Sequence, residues 1–147
     1  MTDTKAATGE LTVSRIFDAP RDLVFRCMLE PAHLAHFWGP VGVRTPLESI
    51  VVDARPGGAF EATMVSEADG SEHRMACVYV EIVEPEKLVW IEPQHEMTTT
   101  STFTDLGNGR TEVRIQQTNV PAMFVNEEAQ QGFRSSLDKF NDYVKNL

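Results

Sequence analysis

Residues 126–147, NEEAQQGFRSSLDKFNDYVKNL, decide the fold. Phe133, Leu137, Phe140, Val144 and Leu147 recur at alternating steps of four and three, which sets them on one face of a 3.6-residue turn. Asn126 is placed to cap the first turn, Glu127 and Glu128 lie where the helix dipole favours negative charge, and Lys139 and Lys145 lie toward the other end. Such a helix is about 30 Å long at 1.5 Å per residue. Its apolar face requires a concave apolar partner of similar length, which the upstream chain must supply.

That upstream chain reads mostly as strand. Leu11, Val13 and Phe17 open a strand that carries Arg15 and Asp18, and Ala19-Pro20 ends it. Leu23, Val24, Phe25, Cys27 and Met28 then form a short buried helix that Pro31 stops. A second short helix over residues 32–37 runs into the corner Trp38-Gly39-Pro40. From Pro46 the hydrophobic period becomes two. Residues 47–53 and 59–65 are predicted strands flanking Arg55-Pro56-Gly57-Gly58, where proline and glycine suit a hairpin turn. After a turn at Asp69-Gly70, residues 75–83 form a strand with Val78, Val80 and Ile82 on one face. Glu84-Pro85-Glu86 breaks it, residues 88–91 continue, and residues 93–96 connect onward. Residues 98–104 and 111–117 are joined across Gly107-Asn108-Gly109, a strong hairpin signal. About seven strands with segregated helices predict an α+β fold, its helices packed on one side of an antiparallel sheet.

A chain of 147 residues is one domain of ordinary size. Residues 1–9 are expected to be a frayed tail and residues 10–147 a single domain. The apolar fraction of 41% and charged fraction of 24% are those of a folded globular protein. A net charge of −9 argues against nucleic acid and anionic membranes, which both require a basic footprint. The polar N-terminus has no hydrophobic signal core and no long apolar run occurs, so a cytoplasmic location is expected. Cys27 and Cys77 lie within apolar patterns and are expected to be reduced core residues.

Several stretches together resemble a known family. They are Phe17-Asp18-Ala19-Pro20, then Pro31-Ala32-His33-Leu34-Ala35-His36-Phe37-Trp38-Gly39-Pro40, then Asp53-Ala54-Arg55-Pro56-Gly57-Gly58-Ala59-Phe60, and Ser136-Leu137 on the terminal helix. Over roughly residues 11–146 the chain is similar to homologues of the C-terminal domain of the activator of heat-shock protein 90 ATPase, within the START-like (SRPBCC), birch-pollen-allergen-like superfamily. The resemblance implies a helix-grip fold, a curved antiparallel sheet around a long C-terminal helix with a cavity between them. It also implies a chaperone partner and a role in the stress response. Members of the wider superfamily bind lipids, hormones or polyketides.

Alternation and helical phase point a set of apolar residues inward: Phe60, Met64, Val80, Trp90 and Phe103 from the strands, and Met123, Phe124, Phe133 and Leu137 from the end of the chain. Thr99 and Ser101 add hydroxyls to the face that Phe103 shares, and Trp38 is a candidate for the cavity mouth or a corner plug. These twelve form the candidate ligand cavity, since a few polar groups among apolar walls mark a binding site. Asp53-Ala54-Arg55-Pro56-Gly57-Gly58 lacks the phosphate-loop pattern and is a hairpin. His33 and His36 have a spacing that suits a metal but lack further ligands, so no metal or other cofactor is expected. Asp22, Glu61, Glu81 and Glu92 supply carboxylates without a demonstrable acid–base pair, and no nucleophile motif occurs.

The reading favoured by the sequence is a domain that holds a small, largely apolar ligand without chemistry. A chaperone-interacting module is the first alternative. A cavity-based cyclase or hydrolase using groups such as Glu92, His95 and Gln117 is the second, on condition that two titratable groups converge in the pocket. A homodimer is also compatible with the chain.

Overall fold

The computed structural model describes residues 8–121 and 125–147. Strand β1 (Thr8–Phe17) is followed by helices α1 (Arg21–Cys27) and α2 (Pro31–Phe37), then by β2 (Val43–Arg44), a 3-10 turn (Leu47–Ser49) and β3 (Val51–Val52). Five longer strand segments and the terminal helix complete it: β4 (Ala59–Ser66), β5 (Glu72–Val83), β6 (Lys87–Glu92), β7 (Met97–Gly107), β8 (Arg110–Pro121) and α3 (Glu127–Val144). Every pairing is antiparallel, in the order β1-β8-β7-β6-β5-β4-β2, with β3 also on β4. The sheet curls around α3 in the helix-grip arrangement that the sequence predicts.

The order follows from local chemistry. Asn108 (φ 56°) and Gly109 (φ 72°) both adopt the left-handed conformation that a two-residue hairpin turn demands, which fixes β7 against β8. At the β3–β4 turn a side chain on the buried Gly58 would meet the Asp53 carbonyl oxygen at 2.0 Å, so only glycine closes that turn. Asn126 caps α3 as expected, its side chain accepting a 2.7 Å hydrogen bond from the Ala129 backbone N–H.

The core is aromatic and lies where α1, α2 and the C-terminal half of α3 meet the sheet. Phe37 stacks on Phe140 at 3.9 Å and 6°, Phe17 meets the edge of Phe140 at 4.7 Å, and Phe25 meets Phe103 at 5.2 Å. Burial of each such ring contributes roughly 1.5–3 kcal/mol. Arg15 ties β1 to α3 through Asp138 at 2.9 Å, with Leu11 and Phe17 buried on the same face of the strand.

Five expectations need correction. Among the described residues there are eight strands, the additional one being the short β2, and residues 47–53 hold a 3-10 turn and a two-residue strand instead of one long strand. Thr8 and Gly9 belong to β1, while residues 1–7 of the expected tail lie outside the described residues. Leu147 lies beyond the end of α3 and is exposed, so the helix seam ends at Val144. Val80 points out of the sheet, at 51% exposure. The register of β5 against β6 shifts between Tyr79 and Glu81, and this bulge breaks the simple alternation: Cys77 and Tyr79 are buried, and Ile82 packs against the core.

No described helix is long and apolar enough to cross a membrane.

Candidate functional site

A cavity of about 1230 Å³ opens between the sheet and the N-terminal half of α3. Helix α3 turns its seam to two tasks. Leu137, Phe140 and Val144 are buried in the core, the first two at the floor of the cavity, whereas Ala129, Gly132 and Phe133, one to two turns earlier, are only partly buried and line it. The opposite wall is one row of residues across four strands: Trp90 pairs with Thr99, Thr99 with Gln117, and Gln117 with Leu11. All four line the cavity. Because paired residues on adjacent antiparallel strands point to the same face, this row is fixed by register alone.

One end of the wall is a cluster of aromatic rings. Trp38, at the C-terminal end of α2, lies 5.2 Å from Phe60 and 6.2 Å from Trp90, and Phe60 lies 5.1 Å from Trp90. Trp38 thus serves both readings made from the sequence: it is half-buried against the sheet, and it lines the cavity. Phe60 also stacks on Tyr79 at 5.4 Å and 7°. The Tyr79 phenol is buried with no hydrogen-bond partner among the described residues, and burial pushes its pKa up. Cys77 also lines the cavity, its thiol pushed up to about 12 by burial and then by the negative charge of Glu92.

The rim is polar. Arg74 donates to Glu61 at 2.6 Å. Glu92, at the end of β6, lies 2.5 Å from the His95 ring nitrogen Nδ1, and its other carboxylate oxygen accepts from the Gln94 backbone N–H at 2.5 Å and the His95 N–H at 3.3 Å. Burial alone would raise the Glu92 pKa, but the hydrogen bonds from His95 and Gln94 and the His95 charge together hold it below the usual carboxylate range. Deeper in the wall, the Gln117 amide donates to the Thr99 hydroxyl at 3.1 Å.

Of the residues expected from the sequence, Trp38, Met64, Trp90, Thr99, Phe133 and Leu137 line the cavity. Phe60 lies behind the tryptophans, and Ser101 and Phe103 are fully buried toward α1, outside the lining. Val80 is on the outer face. Met123 and Phe124 fall outside the described residues. His33 and His36 do not line the cavity. They hold α2 to α3, His33 through a 2.6 Å hydrogen bond with the Tyr143 hydroxyl and His36 by stacking on its ring at 4.8 Å. Among the described residues, no three His, Cys, Asp or Glu converge as metal ligands.

The convergence of Glu92 with His95 was beyond the sequence, although both were candidates there. The available signal was a glutamate at a strand end three residues before a histidine, across a turn. Leu11, Met97, Ile115 and Gly132 also line the cavity, and strand alternation and the helix seam could have found them.

Comparison with known proteins gives concordant results. Residues 18–145 match the profile of the family described as Activator of Hsp90 ATPase homolog 1-like protein. A solved structure from Chromobacterium violaceum superposes with TM-score 0.85 at 28% identity, over 93% of this chain and 98% of that one. One from Nitrosomonas europaea gives 0.82 at 20% identity over 96% of each chain, and an AHSA1-like protein from Aeromonas hydrophila gives 0.80 at 16% over 94% and 93%. No curated protein matches the sequence.

Proposed function

The chain belongs to the Activator of Hsp90 ATPase homolog 1-like family, and from that premise we propose that it is a binding domain that holds a small, largely apolar ligand between its sheet and its terminal helix. The observation that carries this reading is the cavity itself. Its volume of about 1230 Å³ exceeds the roughly 300–1,000 Å³ typical of small-molecule sites. Its walls combine Trp38, Trp90, Phe133 and Met64 with a polar rim that includes Glu61, Arg74, Glu92 and His95. Core side chains normally close-pack to leave voids no larger than a water molecule, so a hollow of this size is a feature that occupancy would repay. Native mass spectrometry of gently purified protein tests it, followed by titration with lipids, sterols and aromatic polyketides while Trp38 and Trp90 fluorescence is recorded. A bound mass or a saturable fluorescence change is expected. Absence of both across the panel would sink the reading.

The Glu92–His95 pair favours a second reading, a hydrolase or cyclase acting inside the cavity. Glu92 would orient the imidazole, and His95 would take a proton from water or substrate. Hydrolysis of 2-naphthyl acetate by the wild-type protein, lost in His95→Gln, is the expected result under this reading. Equal rates in the two proteins would eliminate it.

A further inference from the structure

Inside the polar rim of the cavity, Thr99 and Gln117 form a polar spot whose hydrogen bonding is incomplete among the described residues. Thr99 is 2% exposed yet lines the cavity. Its hydroxyl accepts from the Gln117 amide at 3.1 Å, which uses one oxygen lone pair and one amide hydrogen. The hydroxyl hydrogen, the second amide hydrogen and the amide oxygen remain, and no hydrogen bond within the described residues engages them. Apolar side chains flank the spot: Trp90 and Leu11 along the row, Met97 on the side toward Glu92 and Ile115 on the opposite side. Thr99 is buried, Gln117 is half-buried and both line the cavity, so their remaining hydrogen-bonding capacity is open to a donor and an acceptor brought from outside.

Charge narrows the choice. The cavity lining holds three carboxylates, those of Glu61, Glu92 and Glu128. Among the described residues of the lining, the one guanidinium, Arg74, is already held by Glu61, and His95 is held by Glu92, which leaves His73 as the remaining basic side chain. None of the side chains beside Thr99 and Gln117 is cationic. An anionic headgroup placed there would be buried without a counter-charge, which is far costlier than burying a neutral polar group.

Resting on the binding function given above, we propose that the cavity selects an uncharged ligand, with an apolar body and a single hydroxyl or carbonyl group that meets Thr99 and Gln117. Fatty-acid anions and phosphate esters are disfavoured. Isothermal titration calorimetry with naphthalene, 2-naphthol and 2-naphthoate separates the possibilities, since the three share one body and differ only in the head. The expected order places 2-naphthol about fivefold tighter than naphthalene, the worth of one net hydrogen bond, with 2-naphthoate the weakest. In Thr99→Val and in Gln117→Leu the naphthol preference should shrink toward one while naphthalene binding persists. Equal affinity of the wild type for naphthol and naphthalene would overturn the proposal, as would naphthoate binding as tightly as naphthol, or a preference that survives both substitutions. Failure of all three probes to bind would overturn the cavity function itself, a result distinct from loss of selectivity.

Discussion

At the scale of single residues, polar groups inside the sheet behave differently according to whether they are satisfied. The Tyr79 hydroxyl is buried beside Phe60 and Trp90 with no hydrogen-bond partner among the described residues. Tyr79→Phe should therefore stabilise the protein by about 1 kcal/mol, raising Tm by about 2–4 °C in calorimetry. Glu92 is the opposite case, for its carboxylate is fully engaged at the β6–β7 turn. Its pKa is lower in the folded protein than in the unfolded chain, so the stability it provides is present above the unfolded carboxylate pKa and drains away as pH falls through the folded one. Glu92→Gln should flatten the acid limb of the stability–pH curve in urea denaturation, and an unchanged limb would show that the carboxylate makes no such contribution.

At the scale of elements, α3 was largely legible and the strands less so. The seam of Leu137, Phe140 and Val144 was readable because a helix repeats its face every three to four residues whatever surrounds it. Its division into a core half and a cavity half was not, since that depends on how far α1 and α2 reach along the sheet. Phe140→Ala should cost about 3–5 kcal/mol by leaving a void against Phe17 and Phe37. Phe133→Ala, facing space that already exists, should cost less than about 2 kcal/mol and should instead alter ligand affinity. Chemical denaturation of the two variants, with titration of the second, checks the division. Strand phase was misread at Val80, where one extra residue in β5 inverts the side-chain faces. Nothing in a run of valines announces such an insertion. The Thr99–Gln117 contact was hidden for a related reason, because pairing register across β7 and β8 is a property of two strands and neither displays it alone.

At the scale of the whole molecule, the chain is a single curled sheet holding one helix, and its stability is shared between a packed end and a hollow one. Cys27 and Cys77 report on that arrangement, one near each end. Both are buried, with thiols pushed up to about 11 and about 12, by burial first. Neither should react with a thiol reagent at neutral pH until the protein unfolds, and both should react in denaturant. Rapid labelling of Cys77 alone in the native state would instead reveal opening of the cavity side. The pairing of β1 with β8, Leu11 opposite Gln117, carries a last consequence, for birth order. The first of the described strands to be synthesised must wait for the last before it can be zipped into place, and the terminal helix arrives later still. Until β8 emerges, the apolar face of β1 therefore stays unpaired and uncovered, the interval in which the nascent domain is most exposed to sticking to its neighbours.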